Sequence, residues 1–158
     1  MSRIEPGLRP THMTPNPQPH NLWQSAGAVF LGFLAVVVLS LGTDQVLHML
    51  QVYPPWGEPM REAGLNLLAL SYRIFYGIAG GYITARFAPR NPLRHAMIGG
   101  MIGFVLSGAG LLATLPMDLG PAWYPIALWL TALPCAWLGG MLHRRVACGR
   151  PQESRAWR

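Results

Sequence analysis

Residues 26–42 read AGAVFLGFLAVVVLSLG and carry no charged side chain. They form the centre of an apolar run that extends from Trp23 to about Leu50. Because an α-helix rises ~1.5 Å per residue, about 20 apolar residues are enough to cross the hydrocarbon core of a bilayer. The run therefore predicts a membrane-spanning helix. Its more polar end, residues 43–50, is expected to lie in the membrane interface or to make the helix long and tilted.

Three further apolar runs follow at residues 65–87, 95–115 and 123–142, and the first is interrupted in its middle by one charge, Arg73. A helix on the surface of a soluble protein shows a charged face, and none of these runs does. In hydrocarbon every backbone polar group must be bonded within the spanning element, which favours helices. The sequence therefore predicts an all-α membrane protein with a four-transmembrane-helix, up-down bundle.

The composition excludes an ordinary soluble domain. Hydrophobic residues make up 51% of the 158-residue chain and charged residues 11%, whereas soluble domains carry about 25% charged residues. The net charge of +6 comes from twelve arginines, with no lysine. A nucleic-acid-binding protein gathers its basic residues on one face, but these flank the apolar runs. We therefore expect a lipid bilayer as partner, and no nucleic acid.

The two ends of the chain differ from its centre. Residues 1–22 contain five prolines, which fix φ and remove backbone donors, so this segment is predicted to be a disordered cytoplasmic arm. The transmembrane domain is predicted at residues 23–145, followed by a basic cytoplasmic tail at 146–158. The two cysteines, Cys135 and Cys148, lack the spacing of a metal site and are expected to be free thiols. No metal or cofactor is expected.

The distribution of arginine predicts the orientation. Ten of the twelve arginines lie before the first run, from the last residues of the second run to the start of the third, or after the fourth. The positive-inside rule makes this side cytoplasmic, with both termini inside. The use of arginine alone, with 18 Gly and 15 Pro, fits a GC-rich bacterial genome and hence a bacterial inner membrane. The arginines expected to contact anionic lipid headgroups are Arg86, Arg90, Arg94, Arg144 and Arg145.

Interfacial aromatic residues support the same topology, since Tyr and Trp have one apolar and one polar end. Those expected on the outer side are Tyr53, Trp56, Trp123 and Tyr124. The outer loops are alike, YPPWG at residues 53–57 and GPAWYP at 120–125, and the second and fourth runs both end in a Gly-Gly pair. This pattern suggests two hairpin repeats in parallel orientation.

Small residues recur four apart on every helix, and such residues let membrane helices approach closely. One interpretation is packing within the chain. The other is a homo-oligomer face, for which the glycine-rich residues 97–110 of the third helix are the best candidate. The glycines expected at helix contacts are Gly77, Gly80, Gly81, Gly99, Gly103, Gly139 and Gly140.

Arg73 is the most informative residue for a functional site. An arginine near the middle of a span costs roughly 2.5–3.5 kcal/mol on insertion scales, and usually faces the bundle interior with a partner. Asp44 lies six residues below the outer end of the first helix, and Arg73 about eight below that of the second, so their depths match within about 3 Å. We therefore predict an Asp44–Arg73 ion pair in an intramembrane polar pocket, with His48, Tyr72 and Tyr76 nearby.

Four interpretations of this pair stay open. It fixes the register of two helices, or it forms a pocket open to the outer side that binds a small anion or relays a proton. In a third, Asp44 is exposed in the interface and Arg73 pairs with backbone carbonyls. In the last, Asp44 and His48 are metal ligands. Zinc needs three or four ligands, so Glu58 or Glu62 would have to complete that site.

Four stretches of the chain together resemble a group of small, uncharacterised bacterial four-helix membrane proteins. They are GTDQVLHMLQVYPPWG (42–57), YRIFYGIAGGYITARFAPR (72–90), RHAMIGGMIGF (94–104) and GPAWYPIALWLTALPCAWLGG (120–140). The resemblance covers roughly residues 42–140. It implies the four-span architecture, and it supplies no catalytic residue or substrate.

Three classes of function are compatible with this architecture. A membrane enzyme acting on lipids or quinones would need clustered nucleophiles, acids or metal ligands, and no catalytic constellation is evident. A transporter or channel-like subunit would use the region of Asp44 and Arg73. The short loops and small-residue faces instead favour a non-enzymatic protein that acts through helix–helix association, as a homo-oligomer or with a membrane-protein partner.

Overall fold

The computed structural model describes residues 20–149 and is all-α, as predicted. The helices are α1 (His20–Met49), α2 (Ala63–Phe87), α3 (Pro92–Thr114) and α4 (Trp123–Cys148), and one 3₁₀ turn, Leu115–Met117, follows α3. The predicted arm lies outside the described residues up to position 19, and α1 begins within its last three positions. Residues 150–158 of the predicted tail also lie outside, whereas α4 continues through the tail's first three positions.

Among the described residues, three helical segments are long and apolar enough to cross a membrane: Leu22–Met49, Pro92–Met117 and Trp123–Cys148. With 26 to 28 residues each, they exceed the ~30 Å thickness of a hydrocarbon core. The protein is therefore a small multi-pass membrane protein with three candidate spans. The remaining helix, α2, has 25 residues but lacks a stretch as apolar as those of the three candidate spans, and it includes Arg73.

Helix α2 is the most enclosed element. It packs against all three other helices, as α3 does less closely, whereas the backbones of α1 and α4 do not approach each other within residues 20–149. The helices thus form a ring in the order α1, α2, α4, α3, and the neighbouring helices that pack least closely are α1 and α3. We call the interface between these two helices the seam. The enclosure accounts for the polarity of α2, because polar residues in membrane helices face the bundle interior. Its buried residues are Asn66, Ala69, Gly80, Gly81, Thr84 and Ala85.

The bundle has two chemically distinct ends. Segments 50–62 and 115–122 meet at one end, where the Met60 N–H donates to the Leu119 carbonyl oxygen at 2.8 Å. We call this the two-loop end. The opposite end, which we call the arginine end, carries Arg86, Arg90, Arg94, Arg144 and Arg145.

Glycine brings the backbones of α2 and α4 into contact. A Cβ atom added to Gly81 would lie 2.8 Å from the carbonyl oxygen of Ala136, and one added to Gly139 would overlap the backbone of α2. At Gly77 the added atom would lie 3.1 Å from the Cβ of Cys135. Larger side chains would separate these helices, as expected for close packing of membrane helices.

The other helix crossings also use glycine. A Cβ atom added to Gly80 would lie 2.9 Å from the carbonyl oxygen of Gly32, which joins α2 to α1. One added to Gly140 would lie 2.8 Å from a methyl group of Leu93, which joins α4 to α3 at the arginine end. These crossings hold the arginine-end half of the bundle tightly.

Two glycines of α3, one turn apart, have different surroundings. A Cβ atom added to Gly99 would lie 3.7 Å from the side chain of Val29 on α1, which is ordinary van der Waals contact. One added to Gly103, a turn closer to the two-loop end, would meet nothing within 4 Å. The seam between α1 and α3 therefore widens toward the two-loop end.

Candidate functional site

Near the two-loop end, Asp44 on α1 and Arg73 on α2 form a salt bridge, with Nη2 of Arg73 2.5 Å from Oδ2 of Asp44. The Asp44 side chain is 9% exposed and that of Arg73 is 25% exposed. The structure thus brings together the two residues for which the spacing along the helices predicts the same depth in the membrane. The burial of Asp44 contradicts the interpretation in which this carboxylate is exposed in the interface.

Three tyrosines complete the surroundings of the ion pair. The Tyr72 hydroxyl donates to Oδ1 of Asp44, and Nη1 of Arg73 donates to the Tyr124 hydroxyl on α4. The Tyr53 hydroxyl, from segment 50–62, lies 3.3 Å from that of Tyr72. We call Asp44, Arg73, Tyr53, Tyr72 and Tyr124 the polar cluster. Its charge-assisted hydrogen bonds join three helices and a loop, and they engage both oxygens of the carboxylate.

The cluster is covered from the two-loop end by aromatic rings. The His48 and Trp56 rings have centroids 4.0 Å apart and planes inclined by 32°, and the His48 ring meets Tyr53 edge-on at 5.5 Å. Burial raises the pKa of the Tyr53 phenol above its ordinary value, so the hydroxyl keeps its proton at neutral pH. His48 therefore lies in the cover of the cluster, beside the aromatic rings of segment 50–62.

Segments 50–62 and 115–122 are held together above this aromatic cover. Arg61 pairs with Asp118 at 2.8 Å, and both side chains are exposed to solvent. The buried Asn66 side chain donates from Nδ2 to the carbonyl oxygens of Met60 and Glu62, each at 2.8 Å. Because Met60 also bonds to segment 115–122, Asn66 fixes the point at which the two loops meet.

Tyr76 lies on the same face of α2 as Tyr72, but its partner is different. Its hydroxyl is 2.9 Å from Oγ1 of Thr43, so it connects α2 to α1 beside the cluster. Of the five residues predicted for the pocket, the structure unites Asp44, Arg73 and Tyr72. It places Tyr76 next to them and His48 above them.

Sequence reasoning placed Tyr53 and Tyr124 in the membrane interface and missed their contacts with the cluster. One signal was available. A guanidinium carries five N–H donors, and a single carboxylate cannot accept all of them. A buried Arg73 paired with Asp44 therefore requires a further acceptor from a neighbouring helix, and a tyrosine at the outer end of α4 is a suitable one.

Beneath the polar cluster, all four helices line a cavity of about 430 Å³. Arg73 lies at its two-loop end, and its Nε is buried without a hydrogen-bond partner among the described residues. The volume falls in the range of roughly 300–1,000 Å³ typical of small-molecule sites. Apolar and small residues dominate the walls, with a few hydroxyls. Representative lining residues are Val37, Ser40, Gly77, Gly103, Ser107 and Thr131.

The remaining predicted site residues have simple surroundings. The five arginines proposed to contact lipid headgroups are all exposed, and none forms a salt bridge within the described part of the chain. Across residues 20–149 no three His, Cys, Asp or Glu side chains are grouped so as to hold a metal ion. Cys135 is buried in the bundle and Cys148 is exposed, and neither is bridged.

No family model, curated protein or solved structure matches the chain. The comparisons identify no family behind the resemblance carried by residues 42–140. The polar cluster and the cavity are therefore the features of the described residues that bear on function.

Proposed function

We propose that this chain is a non-enzymatic, four-span protein of a bacterial inner membrane that binds a neutral, amphipathic small molecule in the cavity. The fourth span would be α2. Its 25 residues are long enough, and its enclosure by three helices keeps Arg73 away from lipid. The concentration of arginine at one end favours a cytoplasmic location for both termini.

Two features support the idea of parallel hairpin repeats. Helix α1 packs on α2, and α3 packs on α4, so each proposed hairpin is a contacting pair. The similar outer loops each lead to a tyrosine of the polar cluster, Tyr53 from the first and Tyr124 from the second.

The observation that carries the proposal is the cavity ending at Arg73. Its apolar walls suit an apolar body, and the buried Nε–H of Arg73 lacks an acceptor within residues 20–149. An unpaired buried donor costs about 1–3 kcal/mol, so an acceptor oxygen on a ligand would be stabilised by this N–H once the Arg73 side chain turns it toward the cavity. Because Asp44 already balances the charge of Arg73, a carbonyl or ether oxygen is favoured over an anion.

The chemistry of the cluster favours binding over catalysis. Both oxygens of Asp44 accept hydrogen bonds, one from Tyr72 and one from Arg73, which weakens the carboxylate as a base or nucleophile. The cluster's polar groups are thus largely used on one another. Catalysis would require a group poised toward the cavity, and the Nε–H of Arg73 offers only a hydrogen bond.

Access to the cavity is expected from the bilayer. The seam between α1 and α3 widens at Gly103, while His48 and Trp56 cover the cluster from the two-loop end. A ligand dissolved in the membrane can reach the seam laterally, whereas a hydrophilic solute would have to cross the aromatic cover. This favours a membrane-soluble ligand.

A matched pair of glycine substitutions tests the proposal. Gly103→Leu fills the cavity, and Gly110→Leu makes the same change on α3 at an exposed position that also has open space around it. The purified protein in nanodiscs is heated with a short-chain quinone, a diacylglycerol or an isoprenoid alcohol. Saturation at about 100 times Kd stabilises the folded state by about 2.7 kcal/mol.

The expected result is that at least one compound raises the Tm of the wild type and of Gly110→Leu, and leaves that of Gly103→Leu unchanged. If no compound of the panel shifts the wild-type Tm, or if Gly103→Leu responds as fully as the wild type, the cavity is not the binding site. A conservative Gly103→Ala variant, which only partly fills the cavity, should bind with intermediate affinity.

The second candidate is association with another copy or with a membrane-protein partner. It is favoured by Gly110, which is exposed on α3 with no neighbour within 4 Å of an added Cβ atom. Gly110→Leu would then abolish a dimer detected by native mass measurement. A transporter or channel-like role for the same cavity would instead appear as ligand flux across liposomes, and would be lost in Gly103→Leu.

A further inference from the structure

A second concave feature lies on the outside of the bundle, between the arginine-end halves of α1 and α3. It is a groove of about 650 Å³ whose walls are apolar and whose mouth is basic. The apolar walls include Phe30 and Phe33 from α1 and Ile98 from α3. Arg90 and Arg94 lie at the mouth. We call this the α1–α3 groove.

In the described part of the chain, no acidic side chain pairs with the arginines at the mouth of the groove. Arg90 and Arg94 are exposed, and neither forms a salt bridge within residues 20–149. The acidic residues of the described chain all lie toward the two-loop end; they are Asp44, Glu58, Glu62 and Asp118. Guanidinium groups bind phosphate oxygens in bidentate geometry, so the mouth is suited to a phosphate.

The groove has the length and polarity of one leaflet. From Arg94 to Ile102, which also lines it, the helix rises about 12 Å, close to half of the ~30 Å hydrocarbon core. The charged end lies where lipid headgroups are found, and the apolar part extends from there toward the membrane centre. A free hydrophilic anion would occupy only the mouth, and a wholly apolar molecule would leave the arginines without a counter-charge.

We propose that the α1–α3 groove binds one anionic phospholipid, with its phosphate on Arg90 and Arg94 and an acyl chain between α1 and α3. This site is separate from the cavity below the polar cluster, although Phe33 lines both. A second copy of the chain is a poorer occupant in the same membrane orientation, because it would bring another set of arginines to the mouth. The proposal does not depend on the ligand of the cavity.

The test compares two double variants that remove the same charge at the same end of the bundle. Arg90→Gln/Arg94→Gln alters the groove, and Arg144→Gln/Arg145→Gln alters the end of α4. Each full-length protein is reconstituted in nanodiscs of equal parts phosphatidylglycerol and phosphatidylcholine. The protein is then released from the nanodisc, and native mass spectrometry counts the lipid molecules that remain bound to it.

The wild type and the α4 variant are expected to retain one phosphatidylglycerol in preference to phosphatidylcholine. The groove variant should lose that preference by about thirtyfold, the effect of two basic residues at a membrane surface. Ile98→Trp, which fills the groove and keeps both arginines, should reduce retention as well. Ile98 is exposed, so this substitution leaves the bundle interior intact and separates loss of binding from loss of folding.

Four results would overturn the proposal. If the two double variants lose the preference for phosphatidylglycerol equally, any arginine at this end of the bundle has the same effect and the groove is not a specific site. If the wild type retains phosphatidylcholine as well as phosphatidylglycerol, the groove binds lipid through apolar packing alone. Displacement of the lipid by inorganic phosphate would show that the mouth binds the headgroup alone. Release of lipid on formation of a dimer would assign the groove to a second copy.

Discussion

Substituting Arg73 by methionine leaves the Asp44 carboxylate buried with Tyr72 as its remaining hydrogen-bond donor. Removing one member of a buried ion pair costs about 3–5 kcal/mol, because the other charge stays uncompensated. Asp44 is 9% exposed, so water can do little to replace the guanidinium, and the cost should lie at the upper end. Asp44→Leu should cost nearer 3 kcal/mol, since Arg73 is 25% exposed and keeps its bond to Tyr124.

The double variant Asp44→Leu/Arg73→Met should be more stable than either single variant. It removes both charges, and Tyr72 can still bond to Tyr53. The main remaining cost comes from the Tyr124 hydroxyl, which loses its hydrogen bond with Arg73. Leaving this hydroxyl unpaired lowers the free energy of unfolding by about 1–3 kcal/mol. Adding Tyr124→Phe to the double variant should recover part of this loss, because it removes the unpaired group.

The assay is reversible unfolding of these variants in mixed micelles by titration with a denaturing detergent, followed through the fluorescence of the protein's tryptophans. We expect a coupling free energy of at least about 2 kcal/mol between positions 44 and 73. If the stability losses of the two single variants sum to that of the double variant within about 0.5 kcal/mol, the two residues are not energetically coupled. The stabilisation inferred from the burial of the ion pair is then refuted.

Three further perturbations test other parts of the structure. Gly139→Leu should destabilise the bundle by about 1–3 kcal/mol or more, because its side chain would meet the backbone of α2. Gly27→Leu, at an exposed and open position of α1, should not destabilise it. Equal stabilities of the two variants in a melting experiment would contradict the close contact between α2 and α4 at Gly139. A thiol reagent should label Cys148 quickly and Cys135 slowly in the folded protein, and the two rates should converge on unfolding. Asp118→Asn should change stability by less than about 1 kcal/mol, since its salt bridge is exposed, and a larger loss would mean that the loops depend on this pair.

Most of the helical architecture was predictable because the bilayer fixes the length of an apolar run. For α1, α2 and α3 the predicted ends differ from the observed ones by at most three residues. The exception is the end of α4, predicted at residue 142 and observed at Cys148. There Arg144 and Arg145 ended the apolar run. A helix that has left the hydrocarbon no longer needs apolar side chains, so it continued into the arginine end.

The contact between Asp44 and Arg73 could be anticipated because it joins helices that are neighbours in sequence. A fixed rise per residue and a short connection then determine which side chains share a depth. Tyr124 could not be assigned in the same way, because it lies 51 residues from Arg73 and its position depends on α2 packing against α4. No local pattern specifies which helices of a ring become neighbours.

The cavity was also beyond prediction from spacing alone. Gly99 and Gly103 are four residues apart on α3 and are equivalent as a small-residue pattern, yet only Gly99 is within contact distance of α1. Sequence spacing indicates the face on which two helices meet. It does not give the angle at which they cross, and that angle decides whether the next turn touches its neighbour or leaves a space.

The sharing of Arg73 between α1 and α4 has a consequence for how the protein is made. In the proposed four-span arrangement, Asp44 precedes Arg73 in the chain, so its carboxylate would already be available when α2 enters the membrane and could offset an insertion cost of roughly 2.5–3.5 kcal/mol. Tyr124 is synthesised 51 residues later, and until then one side of the guanidinium has no protein acceptor. We therefore expect the cluster to close only when the last helix has been synthesised. A chain truncated before α4 would carry an incompletely satisfied charge within the membrane, and this would distinguish it from the finished protein during quality control.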